Sequence, residues 1–277
     1  MEKQTQSLSV FWCKSRTMPE REEPLAGGNL TPVVRIGETV RRTQGFWSDA
    51  VHDLLSHLDR VGFAAAPRFL GVDKQGREML SYLPGTVGFS PAVWLDESLV
   101  AAARLLRAYH DATLSYQAPA DARQQMVYPE PSQHEVICHN DFAPYNLVFA
   151  AGLPTGIIDF DLAGPGPRVW DIAYAVYWFA PLYPHDLAHA RGLDDLAQTS
   201  WRVRLFCNAY GWSDSSLLLD TVEARLVEMC QRLNTGAAQG DTVFLRMVAE
   251  GRLAGYERAL ATFRQRRQAL AQQLATW

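Results

Sequence analysis

Asp141, Asn146 and Asp159 bring two carboxylates and an amide into one short stretch, His139-Asn-Asp-Phe-Ala-Pro-Tyr-Asn146 followed closely by Ile157-Ile-Asp159. A carboxylate that can take a proton, beside an amide and a second carboxylate with hard oxygen donors, is the minimum set for moving a phosphoryl group from a magnesium-bound nucleotide. In such a set Asp141 orients an attacking hydroxyl and receives its proton. Asn146 and Asp159 supply two of the oxygens around Mg²⁺, which keeps several waters and shares the phosphates.

These side chains need a frame that brings them together. Asn146–Phe149 and Gly156–Ile158 are apolar runs, and the Gly- and Pro-bearing stretch from Ala150 to Thr155 reads as a hairpin turn between them. A hairpin puts Asn146 and Asp159 at the same end of two paired strands. Pro144 stiffens the loop that carries Asp141. A lone Asp-x-x-x-x-Asn is commonplace in loops, so the information lies in the three dissimilar residues at fixed spacing within apolar frames.

On these residues the chain resembles the aminoglycoside phosphotransferases, a family that includes choline-kinase-like small-molecule kinases and shares a protein-kinase-like fold. The shared pattern is H-x-D-x-x-x-x-N followed by I-D, with weaker agreement from about Gly27 to about Tyr174. The resemblance implies an α+β bilobal architecture with a small antiparallel-sheet N-lobe and a larger, mainly helical C-lobe. It implies Asp141 as catalytic base, Asn146 and Asp159 as Mg²⁺ ligands, His139 as a residue bracing the loop, and Asp171 as a buried aspartate tying the loop together. Asp161 either holds a second metal or faces solvent. The implied co-substrate is ATP or GTP and the partner a small molecule bearing a hydroxyl. The short segment between Asp159 and Asp171, with two Gly and two Pro, leaves no room for a protein substrate to dock. Asn140 stands where many protein kinases carry an arginine.

Residues 22–83 show the pattern of the nucleotide-binding lobe. Strands are expected from Leu25 to Gly37 around a Gly27-Gly28-Asn29 turn, at Glu38–Arg42, at Pro67–Val72 and at Glu78–Leu83, the last two joined by Asp73–Gly76. A helix capped by Ser48 spans Asp49–Leu58, with Val51, Leu54, Leu55 and Leu58 at helical spacing. In the resembling family Gly27 and Gly28 lie over the phosphates, the backbone of Ser81, Tyr82 and Leu83 faces the adenine edge, and Pro84-Gly85 turns the chain. The family pattern also calls for a lysine on the third strand, paired with a glutamate from the helix. Only Lys3, Lys14 and Lys74 occur, against 23 arginines. Arg41 or Arg42 must stand in, and alternation sends only one of them inward, Arg42 being favoured. Asp49 and Asp53 are the helix's only acidic candidates for a partner.

Residues 84–277 form the expected C-lobe. A helix runs from Pro91 to about Ala112, with His110 as a core strut, and a polar surface excursion covers Ala118–Gln133. Tyr174, Tyr177, Trp178, Phe179 and Tyr183 form either core or a cage for a cationic amine. Further helices are expected over Leu187–Gly211, Asp214–Leu233 and Thr242–Thr276. Asp194, Asp195, Asp214, Asp220, Glu223 and Glu228 are the carboxylates available to a polycationic acceptor, but interspersed arginines leave no acidic block.

The chain of 277 residues is 48% hydrophobic with net charge -4, the balance of a soluble protein. Residues 1–21 fit no kinase element and read as an N-terminal arm, with no signal or membrane segment. Cys13, Cys138, Cys207 and Cys230 lack zinc-site spacing and read as reduced cytoplasmic thiols. Arg264–Arg267 is too brief for a nucleic-acid face. Two other readings stay open: a catalytically silent kinase-like binding module, suggested by the missing lysine–glutamate pair, and a protein kinase.

Overall fold

The computed structural model describes residues 21–25, 33–89, 91–183, 189, 192–193 and 195–275. The expected Gly27–Gly28 turn, Asp194 and all but the last residue of the 1–21 arm lie outside this set.

The first structural unit is an antiparallel sheet of β1 (Glu23–Pro24), β2 (Val34–Ile36), β3 (Thr39–Thr43), β4 (Phe69–Val72) and β5 (Arg77–Ser81), ordered β1-β2-β3-β5-β4. Gly37, at φ +58, and Glu38 make the two-residue turn between β2 and β3. Helix α1 (Ser48–Arg60) buries Val51, Leu54, Leu55 and Leu58, as its periodicity predicts. Ser48 is the first helical residue rather than the cap. Its hydroxyl accepts from the Gly45 N–H at 2.9 Å and so closes the turn before the helix.

At Gly85 the chain leaves this sheet with φ +148, and a Cβ there would lie 2.6 Å from the Phe149 carbonyl oxygen. Only glycine allows that approach. It lets β6 (Thr86–Val87) pair with β8 (Leu147–Ala150), which pairs in turn with β9 (Leu153–Ile157). The β8–β9 turn is tighter than the sequence suggests. Ala151 and Gly152, at φ +50 and +81, form all of it, and Pro154 sits inside β9 opposite Phe149. Pro154 is tolerated because β9 is an edge strand and the register shifts beside it.

Helix α2 (Asp96–Ala112) buries Leu99, Ala102, Leu106 and Tyr109. Helix α3 (Arg168–Phe179) is apolar nearly all round and forms the centre of the helical part. Against it pack α4 (Leu196–Tyr210) and α5 (Ser215–Ala238); α6 (Thr242–Ala249) lies against α5 and α7 (Arg252–Leu274), and α7 reaches α3 through Tyr256. The expected single helix from Thr242 onward is two, because Gly251 takes φ +80 and turns the chain. The fully buried Arg202 staples this part together, donating from Nε to the Phe179 carbonyl at 2.8 Å and from Nη1 to the Trp94 carbonyl at 3.0 Å.

The polar stretch expected to be a surface excursion does more than cover surface. Gln125 donates to the Asp161 carbonyl at 3.1 Å and Tyr128 N–H to the Pro165 carbonyl at 2.9 Å. It thereby roofs β10 (Gly164–Gly166), which pairs with β7 (Val136–Cys138). A Cβ on Gly164 would lie 1.7 Å from the Met126 carbonyl oxygen.

Candidate active site

The catalytic-loop residues hang from Asp171 on α3. Its carboxylate is fully buried and accepts from His139 N–H at 2.5 Å, from Asn140 N–H at 2.8 Å and from His110 Nε2 at 3.1 Å. Burial alone would push this carboxyl up, but the bonds from His110 and His139 outweigh it and hold it below the ordinary value. His110 is the expected core strut, bonded through Nδ1 to the Tyr210 hydroxyl at 2.7 Å. Cys138 lies close enough to His110 and Asp171 to suggest a metal cluster. The cluster is closed by its own bonds, however: burial keeps the thiol protonated, and Sγ donates to the Pro167 carbonyl at 3.3 Å.

His139 is buried and its pKa is lowered by that burial. Its Nδ1 accepts from the Asp141 N–H at 3.3 Å, which leaves Nε2 to carry the proton and donate to the Ile158 carbonyl at 3.0 Å. The ring is thus a neutral strut between the catalytic loop and the residue before Asp159. Asn140, at φ +65, donates from its amide to the Leu162 carbonyl at 2.8 Å and fastens the loop to the segment after Asp159.

The β8–β9 pairing brings Asn146 and Asp159 to one end of the hairpin, where Ile158 N–H bonds the Asn146 carbonyl at 2.9 Å. Asn146 Nδ2 donates to Asp141 Oδ2 at 2.8 Å, so the amide oxygen remains for a cation. The other Asp141 oxygen accepts from the Tyr145 hydroxyl at 2.5 Å, and Tyr145 continues to Tyr174 at 2.8 Å. Burial pushes the Asp141 carboxyl up to about 7; the Tyr145 bond opposes that shift. Asp159 takes a left-handed conformation, φ +65 and ψ +64, and its carboxylate is 49% exposed. An amide oxygen and a half-exposed carboxylate are hard donors of the kind Mg²⁺ takes, so Asn146 and Asp159 fit the cation the sequence implies.

Of the two arginines on β3, Arg42 points at this cluster. It bonds Glu78, reaches Asp161 at 2.5 Å and Asp159 at 3.4 Å. Arg41 turns the other way, with Nε 3.7 Å from Asp73. The carboxylate that pairs with Arg42 comes neither from Asp49 nor from Asp53. It is Glu78, directly opposite on β5, and the helix contributes His52, whose Nε2 lies 2.5 Å from the other Glu78 oxygen and whose ring stacks on Phe69. Burial and the negative charge of Asp159 push the Asp161 carboxyl up while Arg42 pulls it down, and the balance is upward.

The linker residues differ among themselves. Ser81 N–H bonds the Arg68 carbonyl and Tyr82 N–H the Glu38 carbonyl, both at 2.9 Å. Of these three, Leu83 alone has no backbone bond from its N–H among the described residues. The aromatic run after Asp171 is core rather than cage: Tyr174, Tyr177 and Phe179 are buried, and half-buried Trp178 meets Tyr145 edge-on at 5.3 Å.

Two groups at the site escaped the sequence reading. Arg225 of α5, 2% exposed, donates to the Asn140 carbonyl at 2.6 Å and lies over the rings of Trp170 and Tyr174. Tyr145 was visible inside the motif, but its bond to Asp141 depends on the turn of Pro144–Asn146. Nothing in the local sequence signals Arg225.

A family model described as the phosphotransferase enzyme family matches residues 49–204. The trifolitoxin immunity protein of Rhizobium leguminosarum bv. trifolii is 38% identical over 194 residues, covering 68% of this chain and 74% of that protein. The chain belongs to the phosphotransferase enzyme family. Among solved structures, the amicoumacin kinase hAmiN in complex with AMP-PNP, Ca²⁺ and its ligand is similar with a TM-score of 0.63 and 15% identity, over 90% of this chain and 88% of that one. The GDP complex of aminoglycoside 2'-phosphotransferase-IIIa gives 0.59 and 16%, over 89% and 94%. A choline/ethanolamine kinase family protein from Mesorhizobium loti gives 0.54 and 16%, over 88% and 92%. The fold is the α+β bilobal, protein-kinase-like one that the sequence resemblance implies.

Proposed function

We propose that this chain is a Mg²⁺-dependent kinase that transfers the γ-phosphoryl group of ATP or GTP to a hydroxyl of a small molecule in the cytoplasm. The observation that carries this reading is the arrangement of Asp141, Asn146 and Asp159. Asn146 bonds Asp141 through its nitrogen and keeps its oxygen free, and Asp159 turns a half-exposed carboxylate into the same space. Asp141 takes the proton of the acceptor hydroxyl, Asn146 and Asp159 hold Mg²⁺, and His139 and Asp171 keep the loop in place. When bound, the cation neutralises charge on the phosphates. Residues 22–83 form the nucleotide-binding lobe, with Arg42 toward the phosphates and Leu83 at the base; residues 84–277 carry the loop and the acceptor site. No helix among the described residues is long and apolar enough to cross a membrane.

The relatives suggest what the acceptor does. Similarity to an immunity protein and to kinases of antibiotics supports a role in which phosphorylation disarms a toxic compound. A second reading, the silent binding module, is favoured by one observation: Arg42 is already engaged by three carboxylates. Thermal unfolding with ATP or GTP, with and without Mg²⁺, on wild type and Asp159→Ala separates the two, since a ligand bound to the folded state raises the midpoint. A Mg²⁺-dependent rise lost in the variant supports the kinase. No rise with either nucleotide overturns it.

A further inference from the structure

A cavity of about 400 Å³ lies where α5 meets α6, lined by Glu228, Gln231, Arg232, Thr235, Gln239 and Phe244. That volume suits a small molecule. One wall is fixed, because the Phe244 ring packs on Gly236, where a Cβ would come within 2.2 Å of it. The cavity adjoins the site already described. Arg225 and Arg232 lie seven residues apart on α5, about 10 Å along one helix face. Arg225 holds the Asn140 carbonyl beside Asp141, and the Asp141 charge is within electrostatic reach of Arg232.

The charges in this cavity do not balance. Glu228, the one carboxylate lining it among the described residues, is bonded to Arg225 at 3.1 Å. Arg232 is half-buried, with its guanidinium 5.9 Å from the Phe244 ring centre, and it makes no hydrogen bond or ion pair among the described residues. Burial lowers its pKa, and the neighbouring Arg225 lowers it further, against the opposing pull of Glu228 and Asp141. An arginine taken partly out of water without an anion is costly, and its planar fork matches a carboxylate or phosphate. Four of the carboxylates that the sequence offers to a polycationic acceptor are committed elsewhere. Asp195 and Asp214 cap α4 and α5, while Asp220 and Glu223 pair with Arg267 and Arg264.

We propose that the acceptor carries an anionic group, a carboxylate or phosphate, that Arg232 receives in this cavity while its hydroxyl lies at Asp141. The inference rests on the kinase reading. The test uses the full chain as Asp141→Asn, loaded with MgADP or MgGDP, whichever raises its midpoint, with and without a second change, Arg232→Gln. Thermal midpoints are followed during titration with inorganic phosphate, glucuronate and glucose 6-phosphate, against glucose, glucosamine, choline and kanamycin. The anions are expected to raise the midpoint, with apparent affinity falling about tenfold or more in Arg232→Gln, and the cations to leave it unchanged. In wild type, any acceptor that supports ADP release should show the loss as a raised KM more than a lowered kcat. A rise with kanamycin or choline that survives Arg232→Gln, or no rise with any anion, overturns the inference. If neither MgADP nor MgGDP raises the midpoint, the kinase reading falls with it, and apo midpoints report whether either variant has failed to fold.

Discussion

At Asp171 one buried carboxylate is matched by three donors, whereas around Arg42 a single guanidinium faces three carboxylates. The first region joins α2, α3 and the catalytic loop through bonds from two backbone amides and His110 to one carboxylate. It positions Asp141 and holds it still. The second region gathers Glu78, Asp159 and Asp161 on one cation and leaves an excess of negative charge at the surface where Asp159 is exposed. One region is built to be complete as it stands, the other to welcome a further cation. On the proposed reading, positioning and charge neutralisation, the two things phosphoryl transfer asks of a protein, fall on separate parts of the chain.

The comparison can be broken at each end. Asp141→Asn removes the proposed proton acceptor at the edge of the rigid region. It should lower kcat by roughly 10²- to 10⁴-fold while nucleotide binding followed by calorimetry stays near wild type; a variant keeping more than a few per cent of the rate would remove Asp141 from its assigned role. Asp171→Ala leaves two amide N–H groups and a histidine nitrogen buried and unsatisfied, so urea unfolding should show a loss of about 3 kcal/mol or more. A loss below about 1 kcal/mol would mean the network is not closed in the sense described. Arg42→Lys keeps the charge but replaces a fork by a point, which reaches fewer of the three carboxylates. Its cost should be nearer 1 kcal/mol, and a cost as large as that of Asp171→Ala would erase the contrast between the regions.

The smallest effect concerns pH. Burial holds His139 below its ordinary pKa in the folded chain. As pH falls through about 6.5 the unfolded chain protonates this histidine and the folded chain does not, so the contribution of His139 to stability drops between about pH 7.5 and 5.5, against the opposite contribution of Asp141. Measured by urea unfolding, the change in stability over that range should be less unfavourable in His139→Gln than in wild type. An equal pH dependence in both would show that the ring is protonated in the fold.

What the sequence showed and what it hid follow from range. The hairpin carrying Asn146 and Asp159 was legible because its strands are neighbours in the chain, and α1 because its apolar spacing is local. The limits of the turn were not, since Pro154 is allowed in β9 only by that strand's place at a sheet edge. Glu78 could not be named as the partner of Arg42, because β3 and β5 are paired across an intervening helix and strand. The same holds for Arg225 and Arg232, whose significance depends on how α5 lies against the catalytic loop. Asp195, Asp214, Asp220 and Glu223 looked available to a ligand until caps and ion pairs accounted for them.

The attachment of His139 and Asn140 to Asp171 has a consequence for how the molecule breathes. Both amide hydrogens point into a fully buried carboxylate shared with the helical core, so no small fluctuation of the loop can expose them to solvent. Their exchange with deuterium should proceed only as fast as the whole domain unfolds. The amides near Asp161, in a single short turn at the open edge of the carboxylate cluster, should exchange through local opening many times faster.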